Sequence, residues 1–132
     1  MLKRFFSGKL LKLSVKEQHL EKARENQRLA ESCELRSRTE REWSIIIRFY
    51  AGLHYLQAYL ETKSARTSTH SETRRGIRAM AELHGLEDAY NQLYNMSWTA
   101  RYTTLPCPTD DVLRANDLLL AIVSHIQKLM PF

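Results

Sequence analysis

Histidine and arginine side chains at helical spacing carry the reactive potential of this chain. His54 lies in the run Arg48-Phe-Tyr-Ala-Gly-Leu-His54-Tyr55, four residues after Tyr50 and one before Tyr55. An imidazole half-buried beside tyrosine hydroxyls can serve as a general base. Its structural alternative is a core histidine hydrogen-bonded to a carbonyl or a tyrosine. His70 stands in Thr69-His70-Ser71-Glu72, with Arg74 four residues on and therefore on the same helical face. The positive end of a helix favours the neutral ring, and free backbone N–H groups together with Arg74 suit a phosphate. The alternative there is a loop histidine that completes a cap. Arg101-Tyr102 follows Trp98 at the end of a helical pattern, ahead of Pro106 and Pro108. Such an arginine either complements the helix dipole or clamps a phosphate in bidentate fashion.

Other chemistries find no footing. The chain has no Gly-rich phosphate loop, CxxC, HExxH or GxSxG. No pair among His19, His54, His70, His84 and His125 has spacing that makes a metal site, and no cofactor is expected. Cys33 and Cys107 are too few and too far apart for a zinc or disulfide scaffold.

These side chains must be placed by helices. Ser14-Val15-Lys16-Glu17 reads as a capping box opening a helix to about Ser37, with a thin stripe of Leu20, Ala23, Ala30 and Cys33. Thr39-Glu40-Arg41-Glu42 offers a second box. From there Trp43, Ile46, Ile47, Tyr50, Leu53, Leu56 and Leu60 recur at steps of three and four, an amphipathic helix and the best core element. Thr69-His70-Ser71-Glu72 is a third box, opening a short basic helix that stops near His84-Gly85. Leu86, Ala89, Tyr90, Leu93, Met96, Ser97 and Ala100 define the next helix. After the proline loop, Thr109, Asp110 and Asp111 start the last, with Val112, Ala115, Leu119, Ile122, Ile126 and Leu129 as its stripe. No segment alternates with period two. The fold expected is all-α: an antiparallel up-and-down bundle of four to five helices.

The 132 residues fit one domain, read as 14–132 behind a basic arm at 1–13. That arm holds Lys3, Arg4, Lys9 and Lys12 and no acid, so it carries +4 of the net charge of +5 and leaves +1 for the rest. A secretory signal is a poor fit, because Arg4, Gly8, Lys9 and Lys12 break the apolar stretches and no small-residue cleavage site follows. A packed segment, a membrane-surface arm or a nucleic-acid arm remain as readings of it. Lys63, Arg66, Arg74, Arg75 and Arg78 form a smaller basic island. Near-neutrality elsewhere excludes a whole-body basic surface for duplex DNA. No apolar run approaches the roughly 18 residues of a membrane span, and a cytoplasmic location is expected.

The order of features resembles the HEPN family of small prokaryotic helical bundles over roughly residues 16–128. A polar helix (HLEKARENQRLAES) leads into a Trp-initiated aromatic helix with histidine (EWSIIIRFYAGLHYLQAYL). A loop then gives THSETR, and YNQLYNMSWTARY precedes a final apolar helix. The resemblance implies an up-and-down bundle acting as a homodimer, with a site between protomers. Many such proteins are toxins or phage-defence factors that cut single-stranded RNA without a metal; others bind nucleotides or serve as non-catalytic partners of a cognate protein. The ribonuclease members carry Arg, four to six residues, then His, late in the domain. Here Pro106, Cys107 and Pro108 stand where that histidine would fall, whereas Arg48 and His54 have the spacing but lie early. For a ribonuclease, His54 would take the 2′-hydroxyl proton and Arg101 would hold the phosphate, with His70, Arg74, Tyr102 and Arg48 as further ligands. The alternative is a non-catalytic nucleotide- or RNA-binding or regulatory partner protein.

Overall fold

Residues 13–132 are those described by the computed structural model, and every regular element among them is helical. The expected basic arm, apart from Leu13, lies outside the described residues. In chain order the elements are α1 (Val15–Ser32), α2 (Arg38–Thr62), α3 (His70–Ala79), a 3₁₀ segment (Ala81–Leu86), α4 (Glu87–Tyr102) and α5 (Thr109–Leu129). The all-α bundle expectation therefore holds among the described residues. No helix there is long and apolar enough to cross a membrane.

Helix α2 is the axis, packed against α1, α4 and α5. Its sequence explains why. Ile45, Phe49, Ala51, Leu53, Tyr55, Leu56, Ala58, Tyr59 and Leu60 are all buried, and together they spread over more than half of the helix circumference. An apolar arc this wide must be covered by more than one neighbour. The single stripe read from the sequence is thus only part of the buried surface, and its members Trp43 and Tyr50 are exposed at 57% and 37%. Helices α4 and α5 contribute one face each, through Tyr90 and Leu93, and through Val112, Ala115, Leu119, Ile122 and Ile126. Helix α3 buries only Thr73 and Ile77.

The helix ends differ in detail from the sequence reading. Helix α1 stops at Ser32, not near Ser37. The second capping box is Ser37–Glu40, two residues before the one expected: Ser37 Oγ accepts from Glu40 N at 3.1 Å, and Glu40 Oε1 accepts from Ser37 N at 2.9 Å. That register satisfies two free N–H groups reciprocally. At α3, Thr69 Oγ1 accepts from Glu72 N, but Glu72 reaches one residue further back and accepts from Ser68 N and Oγ. Helix α3 ends at Ala79, short of the expected stop near His84-Gly85, and the chain tightens into the 3₁₀ segment before α4.

Candidate functional site

A cleft of about 720 Å³ opens between α2, the start of α3 and α4. Helix α4 supplies Tyr94, Trp98, Arg101 and Tyr102, which fall on one face by their spacing. Phe49, Tyr50 and Leu53 of α2 form the opposite wall, and Ser68 and His70 close one end. Trp98 and Tyr102 are 47% and 63% exposed, a large aromatic surface left to solvent. None of these lining residues is acidic.

His70 is fixed by aromatic rings. It stacks on Tyr94 with ring centres 3.6 Å apart and planes 6° from parallel, and meets Phe49 edge-on at 5.9 Å. Its Nδ1 lies 2.8 Å from the Tyr90 hydroxyl. Tyr90 is fully buried, and burial pushes its phenol far above the ordinary range, so it keeps its proton. Among the described residues this hydroxyl hydrogen-bonds only His70, so its O–H donates to Nδ1. The neutral ring then carries its own proton on Nε2 and acts as a donor from that side. Burial first, then the charges of Arg74 and Arg101, hold the His70 pKa below the usual value, so the ring is neutral at pH 7.

Arg101 is held loosely. Its Nε donates to Ser97 O at 3.3 Å, and Nη1 reaches the Tyr50 hydroxyl at 3.5 Å, the outer limit of a hydrogen bond. The guanidinium lies over the Tyr102 ring at 5.1 Å. No carboxylate pairs with it among the described residues. Arg74, one turn beyond His70 on α3, has an enclosed Nε without a partner among the described residues. One guanidinium, that of Arg101, and one imidazole N–H therefore border a space walled by tyrosine and tryptophan, with the charge of Arg74 acting through His70, and such a space suits a phosphate attached to a flat ring.

The sequence-derived residues thus divide. His70, Arg101 and Tyr102 line one cleft, and Arg74 acts on His70 electrostatically. His54 does not line it. Although it stands one turn after Tyr50, His54 meets α1 instead of the cleft. There its Nδ1 lies 3.0 Å from Nδ1 of His19. Burial, then His19 and Lys22, lower the His54 pKa to about 4. Arg48 is not in the cleft either. It is 7% exposed and spends its donors on the fold: Nε on Asn116 Oδ1 of α5 at 3.2 Å, and Nη1 on Ser44 Oγ. The sequence reading missed Tyr50, Tyr94 and Trp98 as site residues. The repeat of aromatics at Tyr90, Tyr94, Trp98 and Tyr102 was the signal available.

Among the described residues, no group of three or more His, Cys, Asp and Glu side chains is placed to hold a metal ion. No family model, curated protein or solved structure matches the chain.

Proposed function

We propose that this protein is a HEPN-like, nucleic-acid- or nucleotide-associated bundle, in which the cleft of Tyr50, His70, Trp98, Arg101 and Tyr102 holds a nucleotide or an end of single-stranded RNA. The observation that supports this most directly is the pairing of an arginine without a carboxylate partner and a neutral, ring-stacked histidine with exposed aromatics, in a cleft lined by no acid. Arginine and the imidazole N–H supply charge-assisted and neutral hydrogen bonds to phosphate oxygens. Tyr102 and Trp98 offer faces on which a base can stack, a contact worth about 1–3 kcal/mol per base. The antiparallel up-and-down arrangement, a homodimer, a cognate protein partner and a cytoplasmic location belong to the same proposal, on the strength of the sequence pattern.

Binding is favoured over cleavage by the proton on His70. A ring that accepts from Tyr90 at Nδ1 presents a donor at Nε2, so it can bind or protonate an oxygen but does not take the 2′-hydroxyl proton from that side. His54, the other candidate base, faces His19. The ribonuclease reading, as a toxin or phage-defence enzyme, keeps one observation: a neutral histidine with Arg74 and Arg101 acting on it.

The test is titration of the purified protein into labelled single-stranded RNA and into a nucleoside monophosphate in excess EDTA, with the RNA then run on a gel. Saturable binding is expected, weakened about tenfold or more by Arg101→Ala, consistent with loss of a charge-assisted contact of about 1.5–3 kcal/mol. His54→Ala should bind as the wild type does. Binding unaffected by Arg101→Ala and His70→Ala would remove the cleft as the site. Cleavage lost in those two variants would replace the binding reading with the ribonuclease one.

A further inference from the structure

The donors that border the cleft outnumber the groups that accept from them. The His70 ring is clamped by Tyr94, Phe49 and the Tyr90 hydroxyl, and its Nε2 makes no hydrogen bond among the described residues. Arg101 gives Nε to Ser97 O and makes one long contact from Nη1 to the Tyr50 hydroxyl, which leaves Nη2 unused among the described residues. The Tyr50 oxygen accepts that contact and keeps its own proton for a ligand.

Little opposes an anion there. Glu72, the acid nearest to His70 in sequence, turns Oε1 to Ser68 N and Oγ at 2.8 and 3.1 Å. Neither Arg101 nor Arg74 has a carboxylate partner among the described residues, and the charges of both reach the His70 ring. Helix α3 also begins at His70, so its positive end lies where Ser68 and His70 close the cleft.

The aromatic wall limits how much of a nucleic acid can be held. Trp98 and Tyr102, one turn apart on α4, have ring centres 5.5 Å apart and planes 57° from parallel. Rings at that angle form no slot for a base, which requires parallel planes. The Arg101 guanidinium covers one side of Tyr102, and the His70–Tyr94 stack at 3.6 Å is closed to insertion. The wall thus offers an outer face for one base beside the phosphate donors, and not a track for successive bases.

That pattern separates two ligands. An internal phosphodiester has one charge and two free oxygens, whereas a terminal phosphate monoester has three free oxygens and a charge of about −1.5 to −2 at pH 7. Unspent donors and two uncompensated guanidinium charges favour the monoester. Resting on the reading of the cleft as a nucleotide or RNA-end site, we propose that it recognises a terminal phosphate monoester on a single nucleotide and discriminates against an internal phosphodiester.

The test compares adenosine 5′-monophosphate with its methyl ester, which differs by one methyl group and one charge, and with adenosine. Each is titrated calorimetrically into the full chain at about pH 7.5, where the monoester is chiefly dianionic. Uridine hexamers ending in a 5′-phosphate, a 3′-phosphate or hydroxyls alone are titrated beside them. The monophosphate should bind about tenfold or more tighter than its methyl ester, and at least one phosphorylated hexamer should exceed the hydroxyl-ended one by a similar factor. Arg74→Gln, which removes a charge without changing the lining, should narrow the gap between monophosphate and methyl ester about threefold and leave adenosine unmoved. Circular dichroism reports whether that variant is folded, and the ligand comparison in the wild type does not depend on it. Equal affinity for the monophosphate and its methyl ester, both weakened by Arg101→Ala, would overturn the monoester assignment and keep the cleft as a nucleotide site. No saturation by any of these ligands at millimolar concentration would overturn that reading as well.

Discussion

Acidification is expected to loosen the contact between α1 and α2, because the two helices share an imidazole pair that tolerates one extra proton but not two. The ring centres of His19 and His54 lie 5.2 Å apart, near the greatest separation that a 3.0 Å Nδ1···Nδ1 contact permits. The two nitrogens therefore point at each other, and a single proton lies between them, donated by one ring to the other. Burial, the neighbouring ring and Lys22 lower His54 to about 4 from its ordinary 6.5. His19 is also lowered, by burial first, with Glu61 opposing and Arg66 adding to the effect. A histidine whose folded pKa is depressed binds fewer protons folded than unfolded, so its contribution is present above the unfolded value and is lost as pH falls toward the folded one. Integrated from about pH 7.5 down to about pH 5, a shift from 6.5 to about 4 corresponds to roughly 2 kcal/mol lost from His54 alone. Urea unfolding followed by circular dichroism at these two values reads this directly. The wild type should lose about 1 M more in midpoint than His54→Gln over the same interval, given slopes of about 1–3 kcal/mol per M. If His54→Gln shows the same loss as the wild type, or if His54 titrates near its ordinary value by NMR, the shared-proton account is refuted.

Two further predictions concern packing. A Cβ at Gly52 would meet Ile122 Cδ1 and Leu93 Cδ2 at 3.4 Å and Leu119 Cδ1 at 3.7 Å, whereas one at Gly76 would meet both Leu60 methyls at 3.1 Å. Gly52→Ala should therefore gain about 0.5–1 kcal/mol of helix stability and raise the melting midpoint by a few degrees, and Gly76→Ala should gain less or lose; a reversed order in calorimetry would contradict the packing. Arg48 is buried with no carboxylate partner among the described residues, and burial lowers its pKa. Arg48→Met should stay within about 1 kcal/mol of the wild type while Arg48→Ala loses about 2–4 kcal/mol in urea unfolding, and both should bind nucleotide unchanged; weakened binding by a folded Arg48→Met would return this arginine to the site.

What the sequence could reveal depended on how much of each helix is buried. Helix α5 shows one apolar face to one neighbouring layer, so the periodicity of Val112, Ala115, Leu119, Ile122 and Ile126 carries a phase, and the phase was legible. Helix α2 is buried over more than half of its circumference, so its apolar residues spread too widely to mark a sharp phase. Without it, nothing in the sequence says whether His54 faces the same side as Arg101, and tertiary packing turns it to His19 instead. The basic island was misleading for a related reason. The chain leaves α2 at Thr62 and turns back through Ser64, the described residue other than glycine with positive φ, at 55°. That turn returns Arg66 to Glu61, with contacts at 3.1 and 2.7 Å, a pairing at a spacing of five that a continuous helix would not make. Arg78 is likewise taken by Glu87 at 2.7 Å across the junction of α3 and α4. Of the five bases, Arg74 is the one whose charge is felt at His70. A phosphate held in the cleft would therefore meet the guanidinium of Arg101 and the field of Arg74, and not the five-base island as a whole.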